Sequence, residues 1–180
     1  MFSETVDIHY NGVDYSMAAG QHHLSLTGEE HLSFSVDLDA QVLETWDADV
    51  RSVDVIHAGR PIAWLHDTFA PNIASDLEGA ALQVAIWELL VDYDGTFDLS
   101  SGNFRISDWE SIALVASSYL ESFGMYAFYH DPESYITSSY IFYSDASPRS
   151  QHMIVPEPSA MLPLSVFAIC LISKRRRVAS

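Results

Sequence analysis

Strict alternation marks residues 31–38: Leu32, Phe34, Val36 and Leu38 fall on one side of an extended chain, and His31, Ser33, Ser35 and Asp37 on the other. That period of two predicts a strand with one face in a core and one in water. Residues 5–10 and 13–17 flank Asn11 and Gly12, a dipeptide that supplies the two positive φ angles of a tight hairpin. Residues 50–57 and 135–143, rich in β-branched and aromatic side chains, predict two further strands. The period then changes. Ser75 stands three residues before Glu78, and Ser107 three before Glu110, the spacing of a capping box. The first helix presents Leu82, Ile86, Leu89 and Leu90 and runs to about residue 91. The second presents Ile112, Val115, Ala116, Tyr119, Leu120 and Phe123 and stops at Gly124. A shorter helix from Pro61 carries Trp64, Leu65 and Phe69 and ends before Pro71, whose ring blocks continuation. The expected class is α+β: an antiparallel sheet with about three helices over residues 1–143, a Ser- and Pro-rich linker over 144–155, and a short apolar helix within 156–180.

Composition narrows the function. The chain has 180 residues, 48% of them apolar, enough for one domain with a sizeable core. Its formal charge of −17 is unevenly spread: residues 1–155 hold 24 acids and 4 bases, residues 156–180 one acid and 4 bases. So acidic a body repels phosphate, which argues against nucleic acid and for small cations or basic surfaces as partners. The single cysteine, Cys170, excludes an internal disulfide and a cysteine-based zinc site in the body. The eight histidines are scattered, only His22 and His23 being adjacent, so no metal-ligand spacing emerges from them. No Gly-rich phosphate loop, Gly-x-Ser-x-Gly elbow or Cys-His pair is present, and the expectation is a protein that is not an enzyme. A pair of carboxylates for glycan hydrolysis is defined in space rather than in sequence, and a surface glycan-active hydrolase stays open as an alternative. The run Asp92-x-Asp94-Gly95-x-x-Asp98 has hard oxygens at alternate positions and a glycine for the turn, like the opening of a calcium loop. It lacks the later bidentate acid, and the same residues also suit a solvated turn. Calcium is thus the only cofactor to consider, and a calcium-dependent adhesin module is the second alternative.

The last 25 residues have an order of their own. Pro156, Glu157 and Pro158 precede an apolar run over 160–172, and Lys174, Arg175, Arg176 and Arg177 follow it. The apolar run favours a bilayer, the cations resist translocation, and the prolines keep the preceding chain extended, which orients the body outward. A run of thirteen residues that includes Pro163 and Ser165 is short of the roughly 20 apolar residues that span a membrane, so any anchor is thin. This tripartite tail resembles a PEP-CTERM sorting signal, found on exported bacterial proteins and read by exosortase, a transpeptidase-like membrane enzyme. The resemblance implies an exosortase partner, transient inner-membrane anchoring through the terminal helix, and release or attachment at the cell surface or in an exopolysaccharide matrix. It also implies a secretory leader. The stretch MFSETVDIHYNG has neither a basic nor an apolar region, so the expected start lies upstream of Met1.

A second resemblance concerns the body. In the helix, Gln83 and Trp87 stand at i and i+4, an amide and an indole on one face. The block around them is similar to the apolar-Gln-x-x-apolar-Trp motif of the Cys-Gln thioester domains of bacterial surface adhesins. In that family the glutamine is the acyl half of an internal thioester and a strand cysteine supplies the sulfur. Phe34-Ser35-Val36-Asp37-Leu38 is similar to that strand, with Ser35 where the thiol would be. A hydroxyl has a much higher pKa than a thiol, and an oxygen ester lacks a thioester's reactivity, so covalent capture is not expected. The resemblance implies instead that Ser35 and Gln83 lie close together and hydrogen-bond.

Overall fold

The computed structural model describes residues 3–26, 29–39, 48–107, 111–143 and 152–156. The chain begins with a hairpin, β1 (Ser3–Tyr10) against β2 (Val13–Gly20), in the register Tyr10↔Val13. Asn11 at φ 50° and Gly12 at φ 84° make the tight turn, as the dipeptide predicts. A second hairpin pairs β3 (His22–Leu26) with β4 (Glu29–Ser35). After β5 (Asp49–Ser52) come α1 (Gly59–Phe69), α2 (Asp76–Asp92), β6 (Phe104–Ile106), α3 (Ser111–Tyr129), β7 (Tyr140–Tyr143) and β8 (Met153–Val155). The fold is α+β, with three α-helices and antiparallel pairing, but the strands form two sheets: β2-β1-β6 and β3-β4-β8-β7-β5.

Helix α2 is the axis of the core. Ser75 Oγ accepts from the Glu78 amide at 3.2 Å while the Glu78 carboxylate accepts from the Ala74 amide at 2.8 Å, so the first turn is closed from both sides. Every residue from Gly79 to Leu89 is buried. The helix touches β1, β2 and β6 on the one hand and α1 and α3 on the other. The expected apolar stripe is therefore only part of the buried surface: small Ala80, Ala81 and Ala85 turn the remaining faces inward too.

Several expectations are corrected by the structure. The linker over 144–155 does not extend to its end, because Met153–Val155 is a fully buried strand lying between β4 and β7 in the sheet. Three consecutive apolar residues in a polar stretch were enough to fill a central ladder position. The strand expected over 50–57 stops at Ser52, whose hydroxyl accepts from the Asp54 amide and starts a 3-10 turn over Val53–Val55. The strand expected over 135–143 begins only at Tyr140. The helix expected from Pro61 begins at Gly59, where a Cβ would lie 1.8 Å from the Val53 carbonyl oxygen. Helix α3 runs past Gly124 to Tyr129, because Tyr126 stacks on Trp64 at 4.9 Å and holds the next turn. Finally, β4 is not half-exposed. His31, Ser33 and Ser35, expected in water, are buried like Phe34 in this interior strand, whereas Leu32, expected in the core, is 42% exposed. The Ser107 and Glu110 cap, residues 144–151 of the linker and the apolar terminal helix include or lie among positions outside the described residues. Among the described residues, no helix is long and apolar enough to cross a membrane.

Candidate functional site at the junction of β4 and α2

Gln83 is completely buried, and its side chain closes on the peptide groups of Ser35 from both ends. Its Oε1 accepts from the Ser35 amide at 2.9 Å, and its Nε2 donates to the Ser35 carbonyl at 2.8 Å. The amide thus serves β4 as a substitute strand neighbour: one donor and one acceptor in the spacing of a backbone ladder. Ser35 and Gln83 are brought together, but through the serine main chain. The Ser35 hydroxyl is turned to Asp37, donating to its carbonyl at 2.8 Å and accepting from its amide at 3.3 Å. Trp87, one turn along α2, is 1% exposed and meets Phe104 edge to face at 6.3 Å. Its Nε1 has no hydrogen-bond partner among the described residues. The Ser35 hydroxyl proton is thus engaged by a main-chain carbonyl.

Beyond Ser35 the strand end opens into a polar cleft of 480 Å³, whose walls include Tyr10, Asp37, Asp39, His57, Asn103 and His152. Asp37 is 4% exposed; its Oδ1 accepts from the Asp39 amide at 3.0 Å and its Oδ2 lies 3.5 Å from His152 Nδ1. His152 in turn stacks on Tyr143 at 4.1 Å, and Arg51 covers that ring at 4.2 Å. Asp37 and Asp39 both line this cleft: the Asp37 carboxylate caps the Asp39 amide in an Asx turn, and the exposed Asp39 carboxylate accepts from the Tyr10 hydroxyl at 3.4 Å.

The Asp92 loop is organised by its own carboxylates. Asp92 accepts from the Phe104 amide at 2.7 Å and from Asn103 Nδ2 at 3.0 Å, clasping the loop shut at the start of β6. Gly102, at φ 96°, leaves room for it: a Cβ there would lie 2.5 Å from Asp92 Oδ2. Asp94 accepts from Thr96, and Asp98 from Ser100 and Ser101. The hydroxyls of Thr96 and Ser100 are the main cause that holds each of these two carboxyls below the ordinary range. Among the described residues, no group of three or more His, Cys, Asp or Glu is arranged to hold a metal ion. Asp92, Asp94 and Asp98, the residues of the calcium expectation, are each hydrogen-bonded within a separate turn.

Two features escaped the sequence. Glu88, on α2, is 1% exposed with Oε2 unpartnered among the described residues; burial, then the charges of Asp92, Asp94 and Asp98, push its carboxyl up to about 8. Asp67, on α1, is the hub of the other. Its Oδ1 accepts from Ser139 Oγ at 2.5 Å, and its Oδ2 from Thr137 Oγ1 at 2.6 Å and the Tyr135 hydroxyl at 3.2 Å. His66 Nδ1 stands 2.9 Å from Ser139 Oγ and 3.3 Å from Asp67 Oδ1. Burial works to raise the Asp67 carboxyl, but the hydrogen bonds of His66, Ser139 and Thr137 outweigh it and the net direction is down. Burial, then the Asp67 charge, pushes Tyr135 up to about 12. Tyr135, Thr137 and Ser139 alternate, so an extended chain turns all three to one side. That period of two was visible in the sequence; the partner was not, being a helix carboxylate instead of a strand.

Of the sorting motif, Pro156 is described and exposed, directly after β8. Glu157, Pro158 and Lys174, Arg175, Arg176 and Arg177 lie outside the described residues. No protein-family model matches the chain, and no curated protein or solved structure is similar to it.

Proposed function

We propose that the chain is a non-enzymatic exported bacterial protein, sorted through its PEP-CTERM-like tail and held at the cell surface or in an exopolysaccharide matrix by non-covalent contacts. The observation that carries this reading of the body is the closure of Gln83 on Ser35, two residues 48 positions apart. Their adjacency is what likeness to a thioester domain requires, and their bonding through the serine main chain leaves nothing to react. The destination rests on the tail, where Pro156, Glu157 and Pro158, an apolar run and Lys174 to Arg177 follow one another. Exosortase is the proposed partner there.

Mass spectrometry of the carboxy terminus after cell fractionation tests the destination. The expected result is an extracytoplasmic protein lacking the segment after Pro158; an intact cytosolic chain refutes the reading. The body has its own test. Ser35→Cys is expected to lose one ammonia, about 17 Da, in the intact mass as a thioester forms with Gln83. An unchanged mass removes the thioester-domain likeness and leaves the tail reading untouched.

A further inference from the structure

A groove of 740 Å³ lies beside the Asp67 hub, with Leu32, Ala70, Pro71, Ile136 and Pro156 as its apolar wall and His66, Asp67 and Thr137 at its polar end. Two of these side chains are unusually open to water for their size, Leu32 at 42% and Ile136 at 89% exposed. The polar end is already satisfied, since Asp67 takes donors from three hydroxyls, so what the groove offers a ligand is mainly apolar surface. Its floor is fixed: Arg60 holds the Tyr135 carbonyl at 3.0 Å and is itself paired to Asp54 at 2.6 Å. Pro156 is both a wall of the groove and the point where the chain leaves β8.

We propose that this groove receives residues 160–164 of the same chain, Ala-Met-Leu-Pro-Leu, in the unprocessed protein. Reach favours it. Three residues separate Pro156 from Ala160, and an extended step covers at most about 3.6 Å, so the apolar run starts within about 15 Å of the groove wall. Volume favours it as well, because a groove of this size takes a ligand of a few apolar side chains. Charge selects the occupant. Residues 1–155, with 24 acids and 4 bases, repel a second copy's body, whereas residues 156–180, with one acid and 4 bases, are attracted to it. The docked segment keeps apolar surface out of water within one molecule until a membrane takes it over. None of this depends on which enzyme reads the tail.

Hydrogen exchange on the full 180-residue chain, without detergent, tests the proposal. The amides of Ala160, Met161, Leu162 and Leu164 are expected to exchange at least about 10-fold more slowly than in Leu32→Asp or Ile136→Asp chains, with protection in α2 equal in all three. Equal exchange in the tail overturns it. Should either aspartate also lower α2 protection, a cysteine pair decides. In a Cys170→Ser background, Ile136→Cys with Leu162→Cys is expected to form an intrachain disulfide at least about 10-fold faster than Val13→Cys with Leu162→Cys. Equal rates, or a disulfide that joins two chains, overturn the proposal.

Discussion

Two polar groups, Gln83 buried and Asp67 half-buried, sit where a helix meets an extended segment, and they solve the same problem in opposite ways. At the α2 junction a neutral amide, Gln83, satisfies one peptide unit of β4 with two bonds. At the α1 junction a carboxylate, Asp67, gathers Tyr135, Thr137, Ser139 and His66, four side chains from two segments. The first has no spare partner, so everything rests on one residue; the second is redundant but charged, so it depends on pH. The difference is between a clasp that either holds or is absent and a hub that weakens by degrees.

Replacing the clasp should have the greater consequence. Gln83→Leu keeps the volume but strands the Ser35 amide and carbonyl in a dry core, at about 2 kcal/mol each, or about 4 kcal/mol in denaturant unfolding, with no dependence on pH between 3 and 8. Asp67→Asn is expected to cost about 2 kcal/mol at pH 7 through the loss of charge-assisted bonds. Here the sign follows from the lowered carboxyl. The stability that Asp67 contributes is present above the ordinary carboxyl range near pH 4 and disappears as pH falls through the lower folded value. Wild type and Asp67→Asn should therefore converge in stability once pH falls below that folded value, while the gap to Gln83→Leu persists. A constant gap for both would show that the Asp67 charge is irrelevant. The mildest change is Ser35→Ala, at about 1 kcal/mol or less, since the hydroxyl bonds only the Asp37 main chain and both bonds to Gln83 remain. A loss near that of Gln83→Leu would move the weight of the junction onto the hydroxyl.

What the sequence made legible was local. Asn11-Gly12 dictates its hairpin because few other dipeptides accept two positive φ angles, and Ser75 with Glu78 starts α2 because the orphan amides of a helix end need those oxygens. The Ser35 and Gln83 contact came from likeness to a family rather than from pattern, and the pattern at β4 misplaced Leu32 along with His31, Ser33 and Ser35, since alternation does not reveal which positions of a strand the rest of the fold covers. Segment 135–139 belongs to a stretch that reads as a strand because it is rich in β-branched and aromatic side chains, yet its pairing goes sideways to Asp67. Glu88 was invisible because nothing in Leu82 to Leu90 says that the helix is buried all round. The spacing of Asp92, Asp94 and Asp98 likewise did not reveal their partners: loops rich in Thr, Ser and Asn engage carboxylate oxygens locally.

The position of β8 has a kinetic side. Among the described residues it is the last strand yet a central one in its sheet, pairing Ile154 with both Phe34 and Ile141. Synthesis delivers residues in order, so β4 and β7 wait with open edges until Met153–Val155 arrive. The domain cannot finish folding before residue 156 is next to emerge. A body truncated at residue 143 is then not a smaller domain but an unfinished one, with the two strands it exposes free to pair with other chains.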